Sequence, residues 1–95
     1  MDMDIIATRR IVVARPEGLH ARPCVAIAGK IRQFKSYVEV AANGQKADGR
    51  DVLQLLTMGV AQGREVVFTA QGPDANEVLD ALSLLFENNF GLESH

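Results

Sequence analysis

Residues 9–34 read RRIVVARPEGLHARPCVAIAGKIRQF, and two hydrophobic periods meet within them. Arg9 to Ala14 is rich in β-branched residues and ends at Arg15-Pro16-Glu17-Gly18, the composition of a strand running into a loop. From Ala21 to Phe34 the period changes. Cys24, Ile27, Ile31 and Phe34 recur at spacings of three and four, which predicts a helix with one buried stripe. Pro23 falls in the first turn of that helix, where a missing N–H costs little.

Downstream, Tyr37 to Ala41 (YVEVA) alternates as a strand does, and Asn43-Gly44 is a strong two-residue hairpin signal leading to a short return strand. Asp51 to Met58 reads as a short helix, with Asp51 as N-cap and Gly59 as stop. Arg64 to Gln71 (REVVFTAQ) is a further strand. Gly72-Pro73 then breaks the chain, and Asp74 with Glu77 has the spacing of a capping box. Val78, Leu82, Leu85 and Phe86 supply the buried stripe of a last helix. The order is βαββαβα. It predicts an α+β open-faced sandwich, a four-stranded antiparallel sheet covered on one face by three helices.

Ninety-five residues, 47% of them hydrophobic, suffice for one domain over 1–95 with a core at about 5–90. Little apolar surplus remains for a deep enclosed site, so chemistry is expected on the surface. A net charge of −2 and scattered basic residues (Arg9, Arg10, Arg15, Arg22, Lys30, Arg32, Lys35) leave no nucleic-acid footprint. No run approaches a membrane span, and Met1 to Thr8 has no signal-peptide character. A single cysteine excludes an internal disulfide. A cytoplasmic monomer is expected, without membrane insertion or nucleic acid.

The chemistry concentrates in Gly18-Leu19-His20-Ala21-Arg22-Pro23. His20 stands where a glycine loop enters a helix, and the first backbone N–H groups of a helix lack internal partners and carry partial positive charge. An anion gains there from hydrogen bonds and from the dipole. The same environment disfavours a charged imidazolium and so favours a nucleophilic ring. It also stabilises the anion that a phosphorylated ring brings to the N–H groups. Arg22 can add a charge-assisted contact to phosphoryl oxygens. Gly18 allows close approach of the loop, and Pro23 fixes the helix start and removes a donor. No metal cage, nucleotide loop or carboxylate pair accompanies the histidine. The donor is therefore expected to be a phosphorylated partner, and neither cofactor nor metal is expected.

Gly18-Leu19-His20-Ala21-Arg22-Pro23 resembles the active-site signature of HPr, the phosphocarrier of the phosphoenolpyruvate:sugar phosphotransferase system. Asn43-Gly44 and Arg50-Asp51-Val52-Leu53-Gln54-Leu55-Leu56-Thr57-Met58-Gly59 resemble the hairpin and regulatory helix of that family. The resemblance runs from about Ile5 to Phe90. It implies that His20 accepts a phosphoryl group on Nδ1 from phosphorylated enzyme I and donates it to an EIIA-type domain. It further implies that Arg22 orients the phosphoryl group, that Gly18, Ala21 and Pro23 form its cradle, and that Val52, Leu53 and Leu56 form the docking patch. Such a protein takes part in phosphoryl transfer covalently and stoichiometrically; it is not a true catalyst, although transferase vocabulary can cover it.

Asp51 departs from the pattern, because HPr proteins commonly carry a serine there that a kinase phosphorylates in some bacteria. Aspartate excludes that modification at this position. It acts either as a plain N-cap, the reading preferred here, or as a permanent charge imitating phosphoserine. Glu17, three residues before His20, is expected to face solvent with a small effect on the ring. Cys24 shares a helical face with His20, but two candidate ligands make no zinc site, and core packing is its expected role. His95 is expected to have no role, and Met58 is expected in the core. A helix carrying Val52, Leu53, Leu55 and Leu56 must expose at least one of them, which suggests docking. Beside sugar uptake stand two other functions: a regulatory carrier in a nitrogen-type or incomplete chain acting with regulatory proteins, and an adaptor that transfers nothing.

Overall fold

Alternation of small and branched apolar residues sets the sheet. The computed structural model describes residues 5–92; His95 and the first four residues of the N-terminal stretch lie outside them. Strands β1 (Ile5–Val12), β2 (Tyr37–Ala42), β3 (Gln45–Asp48) and β4 (Glu65–Gly72) form one antiparallel sheet in the order β1-β4-β2-β3. Val66, Phe68 and Ala70 of β4 and Val38 and Val40 of β2 point to one side and are fully buried. Their neighbours Val67, Thr69, Glu39 and Ala41 face the other side, as the two-residue period requires. The β2–β3 turn uses Asn43 (φ 55°) and Gly44 (φ 74°), both left-handed, which is the geometry the Asn-Gly pair favours.

The three helices α1 (Ala21–Ile31), α2 (Val52–Thr57) and α3 (Ala75–Glu87) cover the apolar face, giving the βαββαβα sandwich. Ile27 and Ile31 of α1, Leu55 of α2 and Val78, Leu79 and Leu82 of α3 close the core against β2 and β4. Arg9 takes an inward position on β1, an edge strand, and escapes burial by reaching α3. Its guanidinium donates to Ser83 Oγ at 2.6 Å and Asp80 Oδ1 at 2.9 Å. No helix among the described residues is long and apolar enough to cross a membrane.

Two local readings give way to long-range contacts. The Asp74/Glu77 capping box is absent: Asp74 is the N-cap of α3, but its side chain makes no cap hydrogen bond. Its carboxylate instead accepts from Lys35 N (2.9 Å), Ser36 N (2.8 Å) and the Ser36 hydroxyl, 38 residues away in sequence for Ser36. Ionised carboxylate oxygens gain more from three converging donors than from one N–H of their own helix. The same capture ends α1 at Ile31 rather than Phe34. The N–H groups of Gln33 and Phe34 tighten to i−3 bonds on Lys30 and Ile31, and those of Lys35 and Ser36 turn away to Asp74. Phe34 still packs, half-buried, against the core. Gly72 (φ 149°) backs onto this clasp, where a Cβ would come within 2.6 Å of Ser36 Oγ.

The clasp has a pH signature. Hydrogen bonds from the Lys35 backbone, then from the Ser36 hydroxyl, hold the Asp74 carboxyl below its ordinary value of 3.8. A depressed folded-state value contributes stability that is present above the unfolded value and is lost as pH falls through the folded one. Denaturant midpoints measured from pH 7 downward therefore stay level until about pH 5 and decline below about pH 4. Asp74→Asn flattens that acid limb. An Asn variant with an unchanged slope would show that the clasp does not couple to folding.

Candidate functional site

The site begins with a glycine that no other residue can replace without strain. Gly18 has φ 71° and is buried; a Cβ there would be driven into the Val60 carbonyl oxygen. Leu19 N donates to that same carbonyl at 2.9 Å, so the loop before α1 is sealed against the segment that follows α2. His20 comes next, with extended backbone (φ −89°, ψ −160°), as the N-cap of α1. Its carbonyl accepts from Cys24 N at 3.1 Å, whereas its side chain caps nothing. The first-turn N–H groups of Ala21 and Arg22 therefore point out of the helix with no cap from the side chain, which suits an anion. Pro23, buried in the same turn, adds no competing donor.

His20 is half-buried in a shallow pocket of about 350 Å3 lined by Arg15, Pro16, Glu17, His20, Arg22, Asn89 and Leu92. Two arginines thus face one cavity with the histidine, although the chain as a whole is acidic. Arg22 lines the pocket from the first turn and is exposed. Arg15 is the more constrained: its side chain is 12% exposed, and it touches the ring directly, with Nη2 3.3 Å from His20 Nε2. Its Nη1 donates to Asn89 Oδ1 at 2.7 Å, and Nη2 lies 3.3 Å from Glu17 Oε1. Glu17, expected simply to face solvent, is exposed but paired with Arg15 rather than with the histidine.

Asn89 reaches the pocket because the chain after α3 reverses sharply. Asn89 (φ 53°) and Phe90 (φ 60°) are both left-handed in the short 3₁₀ turn Asn89–Gly91. For a bulky aromatic residue this conformation costs about 1–3 kcal/mol. Burial offsets it, since Phe90 packs edge-to-face on Phe86 at 4.7 Å and Phe86 on Phe68 at 5.7 Å. Neither Arg15 nor Asn89 stands out in the sequence as a site residue. Arg15 is one of several scattered cations, and the run Asn88-Asn89-Phe90-Gly91 signals a helix stop but not what its side chain will meet.

The other singled-out residues fall in two groups. Cys24 is fully buried and donates to Leu19 O; burial pushes its thiol up, as expected of a packing residue. Met58 is in the core. On α2, Leu55 is buried and Val52 half-buried, while Leu53 (69%) and Leu56 (37%) are exposed. Ala21, at the start of α1, is exposed, and Val25 continues that apolar surface at 56%. Asp51 accepts from Gln54 N at 3.1 Å and from Gln54 Nε2 at 3.2 Å, the geometry of a helix cap.

Comparison with known proteins matches residues 7–88 to the family model described as the PTS HPr component phosphorylation site. Phosphocarrier protein HPr of Mycoplasma pneumoniae is 32% identical over 84% of this chain and 92% of its own length. The multiphosphoryl transfer protein of Salmonella typhimurium is 37% identical over 83% of this chain, which spans only 22% of that relative. The crystal structure of HPr-C-His from Thermoanaerobacter tengcongensis superposes with a TM-score of 0.85 at 31% identity, covering 93% of this chain and 99% of that one. With the same element order and a histidine at the mouth of the first helix, and with the family's phosphorylation-site pattern running through almost all of its length, this chain belongs to the HPr phosphocarrier family of the phosphotransferase system.

Proposed function

We propose that this chain, folded as one domain over 1–95, accepts a phosphoryl group on Nδ1 of His20 from phosphorylated enzyme I. It then delivers the group to an EIIA-type domain in the service of sugar uptake. The observation that carries this reading is the placement of His20 at the N-cap of α1, its side chain unused as a cap, in an open pocket shared with Arg15 and Arg22. In transfer, the Nδ1 lone pair attacks phosphorus, and the bond to the donor breaks with its electron pair. The phosphoryl oxygens come to rest by the first-turn N–H groups of α1, where the dipole and Arg22 offset their charge. Gly18, Ala21 and Pro23 shape this cradle. Val52, Leu53 and Leu56 form the apolar surface on which donor and acceptor dock in turn, with Leu53 contributing most because it is most exposed.

The test is incubation with phosphoenolpyruvate and enzyme I, followed by intact mass. Uptake of one acid-labile phosphoryl group supports the carrier; no uptake by the folded protein favours an adaptor that transfers nothing.

Asp51 serves in this reading as a helix cap, and its two bonds to Gln54 account for its presence without any imitation of phosphoserine. Asp51→Ser, which keeps a capping oxygen and removes the charge, leaves enzyme I affinity within about twofold of wild type, since a surface charge lost at a retained cap is worth only a few tenths of a kcal/mol. A gain of tenfold or more by titration calorimetry would restore the charge hypothesis, and with it the regulatory carrier.

A further inference from the structure

The contact between Arg15 and His20 has a chemical consequence that the carrier reading does not contain. A guanidinium has five N–H donors and no acceptor, so the ring nitrogen facing it must supply a lone pair. That nitrogen is Nε2, 3.3 Å from Arg15 Nη2. A neutral imidazole with its lone pair on Nε2 carries its hydrogen on Nδ1. Free neutral imidazoles of histidine favour the opposite arrangement, with the hydrogen on Nε2. Arg15 thus holds the ring in its less common form, and in that form Nδ1 has no lone pair to attack with.

Arg15 is built to exert this hold. It is 12% exposed, and Asn89, 74 residues on, fixes its Nη1 at 2.7 Å from a left-handed turn that itself carries backbone strain. Glu17 balances part of its charge. Its Nε is buried and has no partner among the described residues, so the hold on the ring is exerted through Nη2 alone. A phosphoryl group entering this cavity brings charged oxygens, and hydrogen bonds to an ionised acceptor are roughly twice as strong as those to a neutral one. The imidazole is the weaker competitor.

We infer that Arg15, anchored by Asn89, is a positioning residue that keeps resting His20 in the Nδ1–H form and exchanges the ring for a phosphoryl oxygen when the donor arrives. The inference rests on the reading of His20 as phosphoryl acceptor. The proton balance is simple. Water removes the hydrogen from Nδ1 and returns one to Nε2 once Arg15 has left it. Nδ1 then forms the bond to phosphorus, the bond to the phosphorylated donor protein breaks, and its electron pair stays with the donor. The ring is therefore a poor nucleophile until an anion is present to draw Arg15 away.

The test is a two-bond 15N–1H spectrum of the full chain with labelled histidine, at about pH 8.5, well above the ordinary histidine range. Only His20 and His95 report, and the His20→Ala chain assigns them. Wild-type His20 is expected in the Nδ1–H form. Arg15→Met, which keeps the stem and removes every donor, is expected to change the ratio of the two forms roughly fivefold or more toward Nε2–H, the equivalent of one ordinary hydrogen bond. If Arg15→Met does not fold, Arg15→Lys, which cannot span Asn89 and the ring together, carries the same comparison. A wild-type ring with its hydrogen on Nε2, or an unchanged ratio in a folded variant, overturns the assignment. Phosphorylation by enzyme I separates the two readings. If wild type takes up the group while the ratio does not respond to Arg15, only the role of Arg15 fails. If neither chain takes it up, the acceptor reading fails and this one with it.

Discussion

His20→Ala is expected to abolish uptake of the acid-labile phosphoryl group while the protein remains folded. The loss should be complete because a carrier has no alternative route: without the nitrogen nucleophile there is nothing for phosphorus to bond to. The fold should survive because the side chain does so little for it. It makes no cap hydrogen bond, its backbone carbonyl still accepts from Cys24 N, and Arg15 keeps Asn89 and Glu17. A change in unfolding free energy within about 1 kcal/mol is anticipated, typical of a partly exposed residue without a structural bond. Intact mass after incubation with phosphoenolpyruvate and enzyme I reads the first effect, and a denaturant titration the second. A phosphoryl group retained on the alanine chain would move the acceptor to another residue and leave the Gly18–Pro23 loop without its proposed role.

The largest effect on stability is expected from Phe68→Ala. Phe68 lies on β4, an interior strand, opposite Arg9 of β1 and Val40 of β2, and is fully buried. Truncating a buried phenylalanine costs about 3–5 kcal/mol from lost transfer energy and the cavity left behind. Against a total of about 5–15 kcal/mol for a domain of this kind, that is a large share. The damage should also reach the site. Phe68 supports Phe86, Phe86 supports Phe90, and the Phe90 turn carries Asn89, which holds Arg15. A shift of the urea midpoint with unchanged slope measures the cost. A loss below about 1 kcal/mol would mean that the surrounding side chains collapse into the space, and that the aromatic chain does not support the turn.

Much of this molecule is legible from residues close together in the chain. β-branched alternation marks the strands, and Asn43-Gly44 marks the hairpin because both positions require left-handed backbone. Asp51 marks the start of α2, and Gly18 with Pro23 marks the loop and first turn that carry His20. These signals are local: propensity, capping and turn geometry act over a few bonds, so the residues themselves contain them. Several other features depend on parts of the chain far apart in sequence.

The strand order β1-β4-β2-β3 is one, since nothing local says that the first strand pairs with the last. Asp74 is another. Its spacing to Glu77 satisfies the rule for a capping box, yet its carboxylate belongs to Lys35 and Ser36, because sheet and helix packing bring three converging donors to it. The third lies at the site. His20 and Arg22 can be picked out by motif, but Arg15 and Asn89 meet only because the turn after α3 folds back on the loop after β1, 74 residues away. Local sequence thus determined which residue is the candidate acceptor and on what kind of element it stands. The tertiary structure alone decided what touches it, because a side chain's partners are set by closure of the whole chain around one core.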